Sequence, residues 1–550
     1  ATELKKRFSA IIGYGENYNT VPHISTFHAL GLSILKEHCR KLSRNVDLVL
    51  FDEDDRKYIL KNDLRIEEKK VKLLSSRISL FKQRLSLPEE VEDKEFAHHY
   101  RDYEKILEEY NAFDLDDLIF APVKLFTRFP KILEQYHSRF HWVMVDEYQD
   151  INYAQYRFMR MLIPDEDSNI YVIGDPHQAI YGFRGSDVRY INQFIDDYPK
   201  AQIYRLGKSY RCTDTILLAS RQVMGDQDRK KFPEITGTER GIKIKIIETN
   251  SEKGEAEVIA RTIEQMLGGL RFFSMDSRIT DGGEDHEIES LSEIAVLCRI
   301  GRQMEALEKA FLDHSIPYQK VGEVPFFKQE PVRSIIELFR LSGNPGASYL
   351  KKKIETNPLF SSDFTEKLSH LEGNKTARQK IEMIVQNCLN REVLEDSIPE
   401  WESLISQLFT ISDSFDDKID EFIKFITLGS DADAFTPHTE EITLITIHAA
   451  KGLEWDCVFI PGCEDGLIPY SLFPQQSADP DEERRLFYVG MTRARKYLYL
   501  TYARKRFLFG REYTLRRTPF LATIEEELKE QSKEEGGKKK TEDHGQLKLF

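Results

Sequence analysis

The sequence predicts an α/β fold built from two parallel-sheet domains with inserted helical subdomains. "FHWVMVDEYQD" and "NIYVIGDPHQAIYGF" each read as a buried-strand run ending in acids or Gly-Asp, with the helical "AQYRFMRMLI" between them. Strand, helix, strand with polar residues at the strand ends is the pattern of a parallel sheet whose ligand lies beyond its carboxyl edge. A second zone repeats it: "GIKIKIIET", then the helical "EAEVIARTIEQML", then the strand "EIAVLCR". Length agrees, because 550 residues exceed what one hydrophobic core can serve.

Taken in order, residues 1–25 are read as a remnant of the first sheet domain. Residues 26–139 follow as a helical insertion, because "TFHALGLSILKEH" and "YEKILEEYNAFDLDDLIFAPVKLF" carry apolar residues at helical spacing between charged stretches such as "EEKKVK". Residues 140–204 complete the first sheet domain, and 205–332 form the first part of the second. Within the latter, "FFSMDSRITDGGEDHEIES" is polar and acidic and reads as a surface insertion. A short helical insertion is expected over 333–437. The second sheet domain resumes over 438–522 with "EITLITIHAAKGLEWDCVFIPG" and "KYLYLTYAR". Residues 523–550 are expected to be a disordered tail, since "IEEELKEQSKEEGGKKKTEDHG" has too little apolar surface to bury.

Composition narrows the function classes. Hydrophobic content of 40% with 31% charged residues, and no apolar run of spanning length, exclude a membrane-spanning or fibrous protein. Cys39, Cys212, Cys298, Cys388, Cys457 and Cys463 show no zinc-ligand spacing and no C-x-x-C pair, which points to a reducing cytoplasm. The net charge of -15 argues against a protein that coats nucleic acid indiscriminately, although one basic groove is compatible with it.

The chemistry gathers at strand ends. Asp146 and Glu147 are placed to hold a hydrated magnesium ion and to polarise an attacking water; the ordinary alternative is a pair that caps the next helix or forms a salt bridge. Asp175 and Gln178 follow the next strand, where an amide can sense a terminal phosphate. Tyr181, Phe183 and Arg184 offer two stacking faces and a phosphate contact for unpaired bases, against the commoner fate of aromatics in a core. Arg211, Arg493 and Arg495 lie beside sheet elements, where a fixed guanidinium fork can neutralise charge in phosphoryl transfer or simply form surface ion pairs. "HAAKGLEW" places His448, Lys451 and Glu454 around Gly452, a strand-to-helix turn suited to a ligand.

In this order "TFHAL", "FDLDDLI", "VDEYQD", "GDPHQAIYGFRG", "KSYRC", "ITIHAAKGLEW" and "EERRLFYVGMTRAR" resemble the motifs of the UvrD/Rep/PcrA family of superfamily one DNA helicases. The resemblance implies two RecA-like motor domains and an ATP-dependent helicase or translocase moving 3′ to 5′ on single-stranded DNA in repair or replication. It implies ATP and Mg2+ as cofactors, with Asp146 on the metal, Glu147 as general base and Gln178 as sensor of the terminal phosphate. Arg211 and Arg493 would be arginine fingers from the second motor domain, Tyr210 would stack on adenine and Glu454 would reach the ribose. Gln149, Lys451 and Gly452 complete the nucleotide set. Thr26, Phe27, His28, Tyr181, Phe183, Arg184 and His448 would line the single-strand track, with Phe183 where many relatives carry Trp. Single-stranded DNA and single/double-strand junctions are the expected partners, and the nucleoid-associated cytoplasm the expected location.

One departure qualifies the resemblance. The phosphate loop G-x-x-x-x-G-K-[ST] is not in the chain: Gly207-Lys208-Ser209 lacks the earlier glycine, which falls on Gln202. The first motor domain is therefore expected to be incomplete, its apolar faces uncovered and ATP hydrolysis by these 550 residues weak or absent. A non-catalytic scaffold binding single-stranded DNA and a sliding clamp is the alternative; a helicase-nuclease fusion finds no nuclease-like acidic cluster after residue 523 and would need an additional domain upstream. The terminal Gln546, Leu547, Lys548, Leu549 and Phe550 resemble the bacterial sliding-clamp binding peptide, in which Gln anchors and Leu and Phe fill an apolar pocket.

Overall fold

The computed structural model describes residue 4 and residues 22–165, 168–225, 235–267, 288–321, 326–361, 364–368, 375–398, 401–428, 440–472 and 479–533. It is mixed α/β with parallel sheets, as expected, and divides into two compact units, Ala1–Gln202 with Val324–Ala434, and Ile203–Glu323 with Phe435–Phe550. The acidic surface insertion (except 288–290) and the terminal QLKLF lie outside the described residues.

In the first unit two short parallel ladders organise the helices. Strands β1 (Val49–Phe51) and β2 (Ala112–Asp114) pair in register Val49↔Ala112 to Phe51↔Asp114. Strands β3 (Trp142–Val145) and β4 (Asn169–Val172) pair in register Trp142↔Asn169 to Val145↔Val172. Local chemistry starts the helices around them. Thr26 accepts from the Ala29 N–H at 3.2 Å, and Asp52 with Asp55, like Asn152 with Gln155, makes a reciprocal capping box.

One face of β3 and β4 packs Val143, Val145, Ile170 and Val172 onto a core with Phe126, Tyr148 and Phe158. The other is open: Trp142, Met144 and Tyr171 are 70%, 76% and 51% exposed. The reading of both runs as buried strands is thus corrected for alternate residues; a strand's side chains alternate between faces, and only one face has a described partner.

The insertion boundaries are corrected as well. Helices Phe27–His38, Asp117–Arg128 and Pro130–Arg139 contribute to the core beneath β3 and β4, so the independent part of the first insertion is close to 49–112. The second begins before residue 333, at Phe326–Lys328, and helices Val332–Gly343, Ser348–Glu355 and Ala377–Asn387 share one hydrophobic core with helices Glu53–Asn62, Glu68–Gln83 and Lys94–Glu109. Phe51 meets Tyr349 at 4.4 Å between ring centroids within it. Amphipathic periodicity shows that a helix has a buried face but not which core receives it.

The second unit holds β5 (Ile244–Ser251), β6 (Ile294–Cys298), β7 (Tyr318–Val321), β8 (Ile442–Thr446), β9 (Trp455–Ile460), β10 (Ala494–Leu508), β11 (Arg511–Thr514) and β12 (Lys529–Lys533). They form one sheet in the order β12-β5-β10-β9-β6-β8-β7, parallel throughout, with β11 antiparallel on β10. The central β6 is buried at every residue, as expected of a parallel strand covered on both faces. Strand β12 corrects the expectation of disorder from residue 523. It pairs with β5 in register Lys529↔Ile244 to Lys533↔Glu248, and the Lys529 ammonium donates to the carbonyls of Ile524 (2.6 Å) and Leu521 (3.3 Å). An edge strand is held by backbone pairing, to which apolar content is a poor guide.

Candidate functional site

The parallel register brings the ends of β3 and β4 together, and the ladder runs past both: Ile173 N–H donates to Val145 O and Tyr148 N–H to Ile173 O, each at 2.9 Å. Asp146 and Glu147 therefore lie beside Gly174 and Asp175. Both acids are exposed. The Glu147 N–H donates to Asp146 Oδ1 at 2.9 Å, and Glu147 sits at φ +52, a left-handed conformation unusual for a residue with a side chain. Buried Gln149 ties the two strand ends, its amide donating to Glu147 Oε2 and its Oε1 accepting from the Asp175 N–H at 3.0 Å. A Cβ on Gly174 would fall 2.8 Å from that same Oε1, so glycine permits the approach. Asp175 in turn holds Gln178, whose amide donates to Oδ2 at 2.8 Å. Asp146, Glu147, Gln149 and Gln178 thus form one connected polar edge. Among the described residues no group of three or more His, Cys, Asp or Glu is arranged to hold a metal. That donor set fits magnesium, which takes one or two carboxylates and completes its shell with water and phosphate oxygens.

Next along the chain, the turn Gly182–Arg184 displays an aromatic pair with a cation. The Tyr181 and Phe183 centroids are 6.2 Å apart, the Arg184 guanidinium lies 5.3 and 5.4 Å from them, and Phe183 is 64% exposed. Thr26 and Phe27 have structural tasks. The Thr26 hydroxyl caps its helix and Phe27 packs against the core, while His28 is half-buried. Burial holds the His28 imidazole below its usual pKa, opposed by the nearby Asp116 carboxylate.

The second unit gathers the other predicted residues around Glu454. Its carboxylate accepts from Arg211 Nε and, on the other oxygen, from Arg495. Burial raises the Glu454 pKa, but the two guanidinium groups outweigh it and hold it below its usual range. Tyr210 beside this cluster is 81% exposed, with Lys208 Nζ 5.3 Å from its ring. Gly452 at φ +89 closes the turn after β8 that carries the half-buried His448 and Lys451. Arg493 is 1% exposed, and its guanidinium donates to the carbonyls of Val489 (3.0 Å) and Leu453 (3.1 Å) and to Thr492 Oγ1 (3.3 Å). It thereby fastens the helix Pro480–Met491 to the turn bearing Glu454. Arg495, the more exposed arginine, shares Glu454 with Arg211; the R-A-R spacing was the signal for it.

The acids of "FDLDDLI" carry no role predicted from sequence. Asp114 and Asp117 are buried against Lys82 at 3.0 and 2.8 Å, and Tyr103 donates to Asp114 at 2.9 Å. Asp116 accepts from Arg56 and from Gln83, the latter at 3.1 Å. Three acids within four residues were the available signal; Tyr103 lies 11 positions from Asp114, and Lys82, Gln83 and Arg56 lie more than 30 positions from the acids they meet.

Comparison with known proteins gives the family. The family model described as the UvrD/REP helicase N-terminal domain matches residues 1–199, and that of the UvrD-like helicase C-terminal domain matches 204–408 and 366–505. ATP-dependent DNA helicase PcrA of Bacillus subtilis (strain 168) is 31% identical over 601 aligned positions, covering 96% of this chain and 78% of the relative. PcrA of Staphylococcus aureus (strain Mu50) is 30% identical, with 96% of this chain and 79% of the relative covered. With two family models following one another along the chain and relatives matched over most of their own length, the chain belongs to the UvrD/REP-like family of DNA helicases.

Proposed function

We propose that the protein is an ATP-driven translocase and helicase that moves 3′ to 5′ on single-stranded DNA in repair or replication. The observation that carries this reading is the connected edge Asp146–Glu147–Gln149–Asp175–Gln178 at the ends of β3 and β4. Asp146 is assigned to hold Mg2+, which would screen the phosphate charges. Glu147 takes the proton from a water as its oxygen bonds to the terminal phosphorus and the bridging P–O bond breaks, ADP leaving. Gln149 fixes the Glu147 carboxylate, so the base need not be oriented during the reaction. Gln178, held by Asp175, reports on the terminal phosphate. Arg211 and Arg493 are assigned as arginine fingers, Tyr210 as the adenine platform, Glu454 as the ribose contact, and Lys451 with Gly452 as the neighbouring turn. Thr26–His28, Tyr181, Phe183, Arg184 and His448 are assigned to the unpaired strand.

The test is DNA-stimulated ATP hydrolysis by Glu147→Gln, measured on the 550 residues and on a chain extended upstream of Ala1 by a phosphate-loop segment. Turnover should fall by about two to four orders of magnitude while nucleotide binding persists. Unchanged turnover in an active background would remove Glu147 from the role of base. The terminal QLKLF is assigned as a sliding-clamp peptide.

A further inference from the structure

The half-buried Gln83, last residue of the helix Glu68–Gln83, stands between two segments that have no contact in sequence. Its Nε2 donates to Asp116 Oδ1 and to Ser79 Oγ, each at 3.1 Å. A carboxylate only accepts, so the amide nitrogen must face Asp116 and the carbonyl oxygen must face the other way. That oxygen meets Gly185: a Cβ built there would fall 2.2 Å from Gln83 Oε1, nearer than any real Cβ approaches an atom. Gly185 is also at φ +85, and it closes the turn Gly182–Arg184 through its N–H to the Gly182 carbonyl at 2.9 Å. The loop that displays Phe183 and Arg184 therefore rests its last residue on the Gln83 amide.

Asp116 extends the connection in the other direction. Its second oxygen accepts from Arg56, which also holds Asp114 Oδ2 at 3.0 Å and the Ser75 carbonyl at 3.2 Å, so the carboxylate is anchored to the insertion. Asp116 immediately precedes the helix Asp117–Arg128, which the helix Phe27–His38 approaches so closely that a Cβ on Gly31 would fall 1.7 Å from the Leu118 carbonyl oxygen. A one-residue glycine contact, an oriented amide and a doubly held carboxylate thus run from the Tyr181–Arg184 loop toward the Thr26–His28 segment.

We infer that Gln83 and Asp116 are positioning residues for single-stranded DNA, setting the Tyr181–Arg184 loop relative to Thr26–His28 by the Gly185–Gln83–Asp116 contact. The inference rests on the strand-track reading above. It explains why an amide occupies position 83: it donates on one side while presenting a small acceptor to a residue without a side chain on the other.

The experiment measures anisotropy of a fluorescein-labelled oligothymidylate with the full chain, alongside thermal melting by circular dichroism. Gln83→Glu places two carboxylates face to face and should weaken binding about fivefold or more, the loss of one stacked base. Gln83→Glu combined with Asp116→Asn exchanges donor and acceptor, restores the hydrogen bond, and should return affinity to within about twofold of wild type. Gln83→Met, which keeps bulk without an amide, should weaken binding with little change in melting and serves if the glutamate variant does not fold. Phe183→Ala tests the underlying reading. If it binds as wild type, the strand-track assignment fails. If it loses affinity while Gln83→Glu and Gln83→Met keep theirs, only the positioning role is overturned. Loss in the exchanged pair equal to that in Gln83→Glu, with melting lowered alike, also overturns it.

Discussion

Lys353→Met tests whether the two helical insertions are one body. Lys353 Nζ lies 2.8 Å from Asp55 Oδ1 and 2.6 Å from Glu337 Oε1, and the three side chains are 13%, 4% and 8% exposed. Tyr349 donates to the same Asp55 oxygen at 2.8 Å. Asp55 belongs to the helix Glu53–Asn62 of the first insertion; the other three belong to the second. Removing the ammonium strands two buried carboxylates, which costs about 3–5 kcal/mol. Arg333 still reaches Glu337 at 3.1 Å, which favours the lower end. In native-state hydrogen exchange, protection in helices Glu53–Asn62 and Ser348–Glu355 should fall together by about 150-fold or more, and adding Asp55→Asn should recover part of it. Loss confined to one helix, or below about tenfold, refutes the shared-core reasoning.

The pH dependence has a definite sign. Burial raises the Asp55 pKa, but Lys353 and Arg340 overcome this and draw it from 3.8 to about 2. The folded value is below the unfolded one, so the stabilisation is present above 3.8 and is lost as pH falls toward 2. Without Lys353 that acid limb should begin at higher pH.

Other outcomes are equally concrete. His314 lies 3.1 Å from both Glu257 and Glu264; burial lowers its pKa, yet the carboxylates prevail and raise it above 6.5. Its contribution is full below the unfolded value and lost as pH rises through the folded one, so His314→Gln should flatten that part of a stability profile measured by urea titration. Arg506→Met strands the buried Glu255 and Glu464 and should destabilise the second unit by about 3–5 kcal/mol in the same assay. Deleting residues 546–550 should lower affinity for a bacterial sliding clamp in surface plasmon resonance, and equal binding would reject the tail assignment.

The acids at 146 and 147, the amide at 178 and the arginines at 211 and 493 were legible because each stands next to a recognisable strand or turn. Their partners were less so. Gln149 as a tie between strand ends requires the β3–β4 register, which the two runs imply but do not state. The resemblance makes Arg493 an arginine finger; its backbone carbonyl partners on Val489 and Leu453 appear only when the helix Pro480–Met491 folds beside the Glu454 turn. Helices Phe27–His38 and Asp117–Arg128 look in sequence like the insertion around them and pack with the sheet.

By itself the sequence determined the α/β alternation, the strand-tip carboxylates and the order of the motifs, because hydrophobic periodicity acts over a few neighbouring residues. Only the tertiary structure decided that two insertions share a core, that a lysine-rich tail supplies an edge strand, and that Gln83 supports Gly185. Those outcomes depend on which distant faces and backbone edges meet, and an apolar face or an unpaired N–H carries no address for its partner.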